Sequence, residues 1–251
     1  MPRALALSPH LDDAAFSCGG TLARLAQAGW EVTVCTAFTR SVAAPTGFAL
    51  ACQADKGLPP EADYMAIRRA EDAAACAALG ALPWWLPFAE APHRGYADAA
   101  ALFGPVRAAD GIDSTLAEAL ATGPLAPPWP DLLLAPQAVG GHVDHVQVVR
   151  ALHRVAPPGI PVLWWTDFPY AARPRSHPAR PFAAAMRDLP ECAVAGDTAA
   201  RSAACAAYRT QLGFQFGGLD GLAQALAEAG PVEVLREAGR APLPAAWRCA
   251  A

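Results

Sequence analysis

Apolar positions along this chain fall into short unbroken runs separated by amphipathic stretches. Residues 3–8, RALALS, form the first run and stop at Pro9-His10. A run of this length without polar alternation suits a strand buried on both faces of a parallel sheet. Gly19-Gly20 then reads as a turn into a helix, TLARLAQAG, with Leu22 and Leu25 on one face and Gly29 at its C-terminal cap. WEVTVCTAF at 30–38 is β-branched and aromatic, the next strand. The opening 38 residues therefore predict a right-handed β-α-β unit with parallel strands.

Further along, 41–60 carry three Pro and two Gly and read as a loop or flap. Residues 61–80 are a run of good helix formers with an acidic start and a glycine end. ALPWWLPF at 81–88 is strand-like, and a helix is expected near 114–121. DLLLAP at 131–136 is a second clear buried strand, followed by Gly140-Gly141 and a helix, HVDHVQVVRALHRV. PVLWWT at 161–166 is another strand, and 171–190 read as loop. Asp197 caps a helix running to about Gln211, and a last helix covers 219–229. Nothing repeats at a fixed period and no linker separates two composition regimes. The expectation is one α/β domain over 1–251 with a mostly parallel sheet and helices on both faces.

Composition narrows the picture. Hydrophobic residues are 54% of 251 and charged residues 17%, enough to bury one sizeable core. The net charge is −4 and no Lys/Arg cluster exceeds the pair Arg68-Arg69, which argues against a nucleic-acid partner. No apolar run reaches the roughly 20 residues of a membrane span. The short apolar start is broken by His10, Asp12 and Asp13, unlike a signal peptide, so a cytoplasmic protein is expected. Seven cysteines, none spaced C-x-x-C, offer neither a disulfide framework nor a thiolate metal site; Cys18 is notable only for its place just behind the His/Asp cluster.

The chemistry concentrates at two strand ends. His10-Leu11-Asp12-Asp13 follows the first buried strand, and His142-Val143-Asp144-His145 follows the strand at 131–136. Ligands of open α/β sheets bind outside the carboxyl ends of strands. His10 and Asp13 are three apart, so one turn brings them to one side. Imidazole and carboxylate are both good zinc ligands, while Asp12 points elsewhere and is free for proton transfer. Singly, each motif is weak: an H-x-x-H is common, and a D-D pair is usually a helix cap. Two such clusters, each at the end of a buried strand, point to a catalytic metal site with an open position if the two strands are neighbours. Asp167 and Tyr170 follow the strand at 161–166 and can line the same cleft. His93-Arg94 read as a surface loop, and the pairs Trp84-Trp85 and Trp164-Trp165 as core. Ser8 and Ser17 lack a G-x-S-x-G context, and no G-x-G-x-x-G fingerprint is present.

At these residues the chain resembles a known family. SPHLDDAAFSCGG at 8–20 is similar to the N-terminal signature of the LmbE-like, or PIG-L, de-N-acetylases, usually His-Pro-Asp-Asp-Glu followed by a glycine pair. GGHVDH at 140–145 resembles their second motif, His-x-Asp-His. RRAEDAAACAALG at 68–80 resembles their Arg-x-x-Glu helix, and WTDFPYA at 165–171 a later segment of bacterial members. The resemblance implies a Rossmann-like fold and zinc ligands His10, Asp13 and His145, with other divalent metals open. It implies Asp12 as general base, and protonated His142 as oxyanion donor oriented by Asp144. Arg68 would lie near the site to contact substrate or brace the ligand loop, and Glu90 matches an acidic substrate-contacting position. Leu11 replaces the usual Pro, and Ala14 replaces the Glu that closes the signature. The implied reaction is hydrolysis of an N-acetyl or other N-acyl group on an amino sugar or glycoside conjugate. The alternatives are an amidase for a thiol conjugate or acylated natural product, and a non-catalytic sugar-binding protein. A homo-oligomer stays open.

Overall fold

A computed structural model describes residues 1–170 and 180–249. Its frame is one seven-stranded sheet in the order β3-β2-β1-β4-β5-β7-β6. The strands are β1 (Arg3–Ser8), β2 (Glu31–Thr36), β3 (Leu82–Trp85), β4 (Leu132–Pro136), β5 (Val162–Trp165), β6 (Glu191–Ala195) and β7 (Val232–Ala238). The first five are parallel; β7 runs antiparallel to both β5 and β6. The α/β class and the parallel β1–β2 opening are as the sequence led us to expect.

Strand periodicity explains the unbroken apolar runs. Ala4 and Ala6 of β1 and Leu132 and Leu134 of β4 enter one core layer; Leu5, Leu7, Leu133 and Ala135 enter the other. Both faces are covered, so no position needs a polar residue. The first layer is closed by α1 (Asp13–Gln27), α3 (Tyr64–Leu79) and α8 (Thr198–Ala207). The second is closed by α5 (Ile112–Thr122) and α6 (Val143–Val155).

Several details differ from the sequence reading. Gly19-Gly20 lies inside α1, which starts at Asp13 and is kinked at Cys18 (φ −142°, ψ 23°), instead of turning into a later helix. The reason is close packing: a Cβ on Gly20 would sit 2.9 Å from both Gly196 Cα and Asp197 N. The expected flap at 41–60 contains α2 (Gly47–Ala54), and a four-residue helix, α4 (Ala99–Leu102), lies between the strand-like 81–88 and the helix expected near 114–121. α7 (Ala183–Arg187) interrupts the loop expected at 171–190, of which 171–179, including His177, lie outside the described residues. The helix after Asp197 is two, α8 and α9 (Arg209–Phe216), broken at Tyr208; α10 (Leu219–Ala229) follows. β6 and β7 were not foreseen. Among the described residues, no helix is long and apolar enough to cross a membrane.

The topology positions the site. The chain moves outward through β1, β2 and β3, then returns to place β4 on the other side of β1, with Ala4, Leu5 and Ala6 beside Leu132, Leu133 and Leu134. The β1/β4 boundary is a topological switch point, where the loops leaving two adjacent strands diverge and open a crevice.

Candidate metal centre

Both motifs leave the sheet at this crevice. After β1 the backbone turns sharply. Ser8 Oγ donates to the His10 carbonyl (2.7 Å), and Asp12 N–H donates to the same oxygen (2.9 Å). Asp13 Oδ2 accepts the His10 backbone N–H (2.9 Å) and lies 3.1 Å from the His10 ring Nδ1. Asp12 takes φ 157° and ψ −34°, a region non-glycine residues avoid, held there by this turn. After β4, His142 is the N-cap of α6, its Nδ1 accepting the Asp144 N–H (3.2 Å). A Cβ on Gly140 would lie 2.8 Å from Tyr170 Cβ, so the glycine lets Tyr170 close against the motif.

The two turns bring three imidazoles together. Ring centroids are 4.9 Å apart for His10–His142, 5.3 Å for His10–His145 and 5.5 Å for His142–His145. One nitrogen from each falls within 4.8 Å of the others, and all three residues are buried. Asp13 Oδ2 joins them, 3.2 Å from His145 Nε2. The far nitrogens are engaged: His10 Nε2 with Asp144 Oδ2 (2.9 Å) and His145 Nδ1 with Asp167 Oδ1 (2.6 Å). If both carboxylates accept protons from these nitrogens, His10 Nδ1 and His145 Nε2 turn lone pairs toward the Asp13 oxygen. His145 Nε2 is buried with no hydrogen-bond partner among the described residues. Electron-rich N and O atoms converging without a proton between them fit a divalent cation, the His10 and His145 rings each backed by a carboxylate.

Without a cation, protons and carboxylates balance each other. His10 is raised well above the ordinary imidazole range: burial opposes this, and Asp13 and Asp144 overcome it. His145 is raised to about 9 against its own burial, by Asp13 and Asp167. Asp13 is held low by His145 and His10 despite burial. A metal competes with these protons, so its binding releases them. Asp12 differs: burial pushes its carboxyl up to about 7, against the pull of Arg68, whose Nη2 lies 3.5 Å from Asp12 Oδ2. His142 is pushed down to about 3 by burial and by His10, so its ring is neutral. With Nδ1 accepting, the His142 proton sits on Nε2.

The crevice opens into a cleft of about 380 Å³, lined by His10, Asp12, Arg68, Glu90, His142 and Tyr170 and walled by Phe48, Phe103 and Phe214. A larger cavity of about 520 Å³, beside Phe168, Arg201 and Glu233, touches none of His10, Asp12, Asp13, His142 and His145. We place the site at the first, because the ionisable cluster is there.

Most residues anticipated from sequence meet at this point. Arg68 donates to Glu90 (2.6 Å) and to the Leu11 carbonyl (3.0 Å), so it braces the first motif from α3. Two placements differ from expectation. Asp144 does not reach the His142 ring with its carboxylate; it holds His10 and leaves only its backbone N–H to His142. Asp167 is 1% exposed and backs His145, with Val139 N–H on its other oxygen, instead of lining the cleft. Of the aromatic pairs, Trp164 and Trp165 are buried, whereas Trp84 and Trp85 stay partly exposed at the sheet edge. Cys18 is fully buried, with its thiol pushed far up by burial. Ala14 is likewise 1% exposed, within the apolar core. Arg94, read as surface, is half-buried, its side chain turned inward against Asp110 and Asp144. Its partners lie 16 and 50 residues away, out of reach of any local pattern.

With the site described, comparison with known proteins is informative. The model of the family "PIG-L: GlcNAc-PI de-N-acetylase" matches residues 5–156, a span that holds both motifs. The 2'-N-acetylparomamine deacetylase of Streptomyces fradiae is 38% identical over 174 residues, 68% of this chain. The chain spans 58% of the length of that curated relative. The crystal structure of the antimicrobial reagent A40926 pseudoaglycone deacetylase Dbv21 superposes with a TM-score of 0.71 at 31% identity, covering 96% of this chain and 99% of the other. The zinc-inhibited form of teicoplanin deacetylase Orf2 does so at 0.71 and 26%, covering 96% and 100%. Motifs, topology and similarity agree: the chain belongs to the PIG-L family of GlcNAc-PI de-N-acetylases.

Proposed function

We propose that residues 1–251 form one metal-dependent hydrolase domain that removes an N-acetyl or other N-acyl group from an amino sugar or glycoconjugate. The observation that carries this reading is the convergence of His10 Nδ1, His145 Nε2 and Asp13 Oδ2 beside the buried carboxyl of Asp12, with His10 and Asp12 lining a cleft. The reading draws support from the deacetylase relatives, and zinc as the metal from the N/O donor set. We assign the reaction to the cytoplasm, where seven unpaired thiols stay reduced.

His10, Asp13 and His145 would hold the ion; Asp144 and Asp167 would fix their rings. When bound, a divalent cation supplies Lewis-acid polarisation of the amide carbonyl and makes water nucleophilic near neutral pH. Asp12 takes the proton of the attacking water. Arg68 faces Oδ2, leaving Oδ1 as the accepting oxygen. The neutral His142, protonated on Nε2, donates that hydrogen to the carbonyl oxygen as charge develops there. This replaces the imidazolium inferred from the family pattern, and such a donor is worth about 2.7–4 kcal/mol in the transition state. Asp12 then passes its proton to the departing amine. Glu90 and Tyr170, at the cleft wall, contact the sugar.

The aromatic lining of Phe48, Phe103 and Phe214 favours one variant of this reading, an acylated natural product whose apolar part rests on that wall. The test pairs metal analysis with acetate release from N-acetylated aminoglycosides, N-acetylglucosaminides and acylated glycopeptides, wild type beside Asp12→Ala. One metal per chain in both proteins is expected, with turnover lowered roughly 10²–10⁴-fold in the variant. Absence of metal from chelator-free wild type would sink the reading. Bound metal with no cleaved substrate would sink the choice of amide.

A further inference from the structure

Arg94 sits on a single 3-10 turn, Ala91–Arg94, with a side chain only 11% exposed. Its Nε and Nη2 grip the two oxygens of Asp110 at 3.1 and 2.9 Å. Its Nη1 lies 2.8 Å from Asp144 Oδ1 and donates to the Ala89 carbonyl at the same distance. Asp144 is fully buried, and its other oxygen faces His10 Nε2 (2.9 Å) and accepts the Ala91 N–H (3.0 Å). Asp110 is anchored in turn by Tyr96 OH (2.9 Å), and its carbonyl by Gln147 Nε2 of α6 (2.6 Å).

We infer that Arg94, clamped by Asp110, is a positioning residue that sets the ring orientation and tautomer of His10 and thereby the affinity of the metal centre. The inference rests on the metal reading above. A carboxylate ion-paired to a guanidinium is an acceptor only, so the His10 nitrogen that faces it must be the donor. When a cation displaces the proton from Nδ1, 3.1 Å from Asp13 Oδ2, the lone pair is then left on the nitrogen that faces the centre. The geometry needs arginine: one edge of the fork takes Asp110 bidentately while the remaining nitrogen reaches Asp144, which a lysine ammonium cannot reproduce. The stretch of chain that carries the clamp also supplies Leu102 and Phe103 of the cleft wall, so one segment serves both substrate wall and ligand.

Three variants test this: Arg94→Met, Arg94→Lys and, as control, Arg154→Met, an exposed arginine in the last turn of α6 whose partner Asp113 lies at the start of α5, in contact with neither motif. The readouts are the zinc dissociation constant by chelator competition, the visible spectrum of the cobalt(II) form, and the melting temperature of each metal-free protein. Arg94→Met is expected to bind zinc about 10–100-fold more weakly, with an altered cobalt spectrum. Arg94→Lys should recover part of the affinity, and Arg154→Met should match wild type. A folded Arg94→Met with wild-type affinity and spectrum overturns the inference. Should Arg94→Met fail to fold, Asp110→Asn decides: it keeps the packing but weakens the grip, and a several-fold loss of affinity supports the clamp while unchanged affinity overturns it. Wild type that binds no zinc removes the metal reading itself, an outcome separate from failure of the clamp.

Discussion

At the scale of single residues, Asp12 carries a conflict between stability and chemistry. Burial pushes its folded-state pKa to about 7, above the ordinary carboxylate value of 3.8. In metal-free protein the folded state is therefore favoured while the proton is on. That contribution is full below the unfolded value and is lost as pH rises through about 7. Above 7 the buried charge is fully felt. Asp12→Asn should thus melt higher than wild type at pH 8 in chelator, with the difference shrinking toward zero near pH 4, and should be inactive throughout. A stability difference independent of pH would show that the carboxyl charge is not the cause. The histidines and aspartates of both motifs were legible in the sequence because each stands at the end of an apolar run. Their wiring was not. Which ring nitrogen faces the centre depends on Asp144 and Asp167, and a sequence does not show that Asp144 turns toward His10 instead of His142.

At the scale of elements, β7 shows why part of the sheet escaped the sequence. Its buried positions include Glu233 and Glu237, while Val234 points outward, 44% exposed. An apolar/polar pattern reads such a strand inside out. Glu233 is tolerated because it is fully satisfied. Its oxygens accept Gly20 N–H (2.8 Å), Thr21 N–H (2.7 Å) and Thr21 Oγ1 (2.5 Å), and Arg201 Nε lies 3.6 Å away. The carboxylate thus ties β7 to the kink of α1, the helix whose first turn carries Asp13. Glu233→Ala would strand those donors and leave Arg201 buried without its counter-charge. Unfolding in urea should show a loss of about 3–5 kcal/mol. Val234→Ala, on the outward face of the same strand, should cost less than about 1 kcal/mol. Equal effects at the two positions would remove the carboxylate's structural role. The parallel strands were legible for the opposite reason: buried on both faces, β1 is apolar from Ala4 to Leu7 and β4 along its whole length.

At the scale of the whole molecule, the centre joins two distant stretches of one chain. Because the proposed ligands come from loops after both β1 and β4, a bound ion should stabilise the sheet as a unit. Metal at 100 times its dissociation constant adds about 2.7 kcal/mol. At roughly 2–4 °C per kcal/mol for a chain of this size, chelation should lower the melting temperature by about 5–11 °C. A single cooperative transition is expected in both states, and two transitions on chelation would show that the halves of the sheet are not coupled through the site. The separation of the motifs also has a meaning in time. His10 and Asp144 are 134 positions apart, and the carboxylate that holds His145 comes 22 positions after that histidine. During synthesis the N-terminal histidine and aspartates leave the ribosome first and wait, with their strand unpaired on one side, until β4 and then Asp167 arrive. The proposed metal centre is therefore complete only once residue 167 has been made, and a nascent chain halted before it carries its first motif without the means to close around an ion.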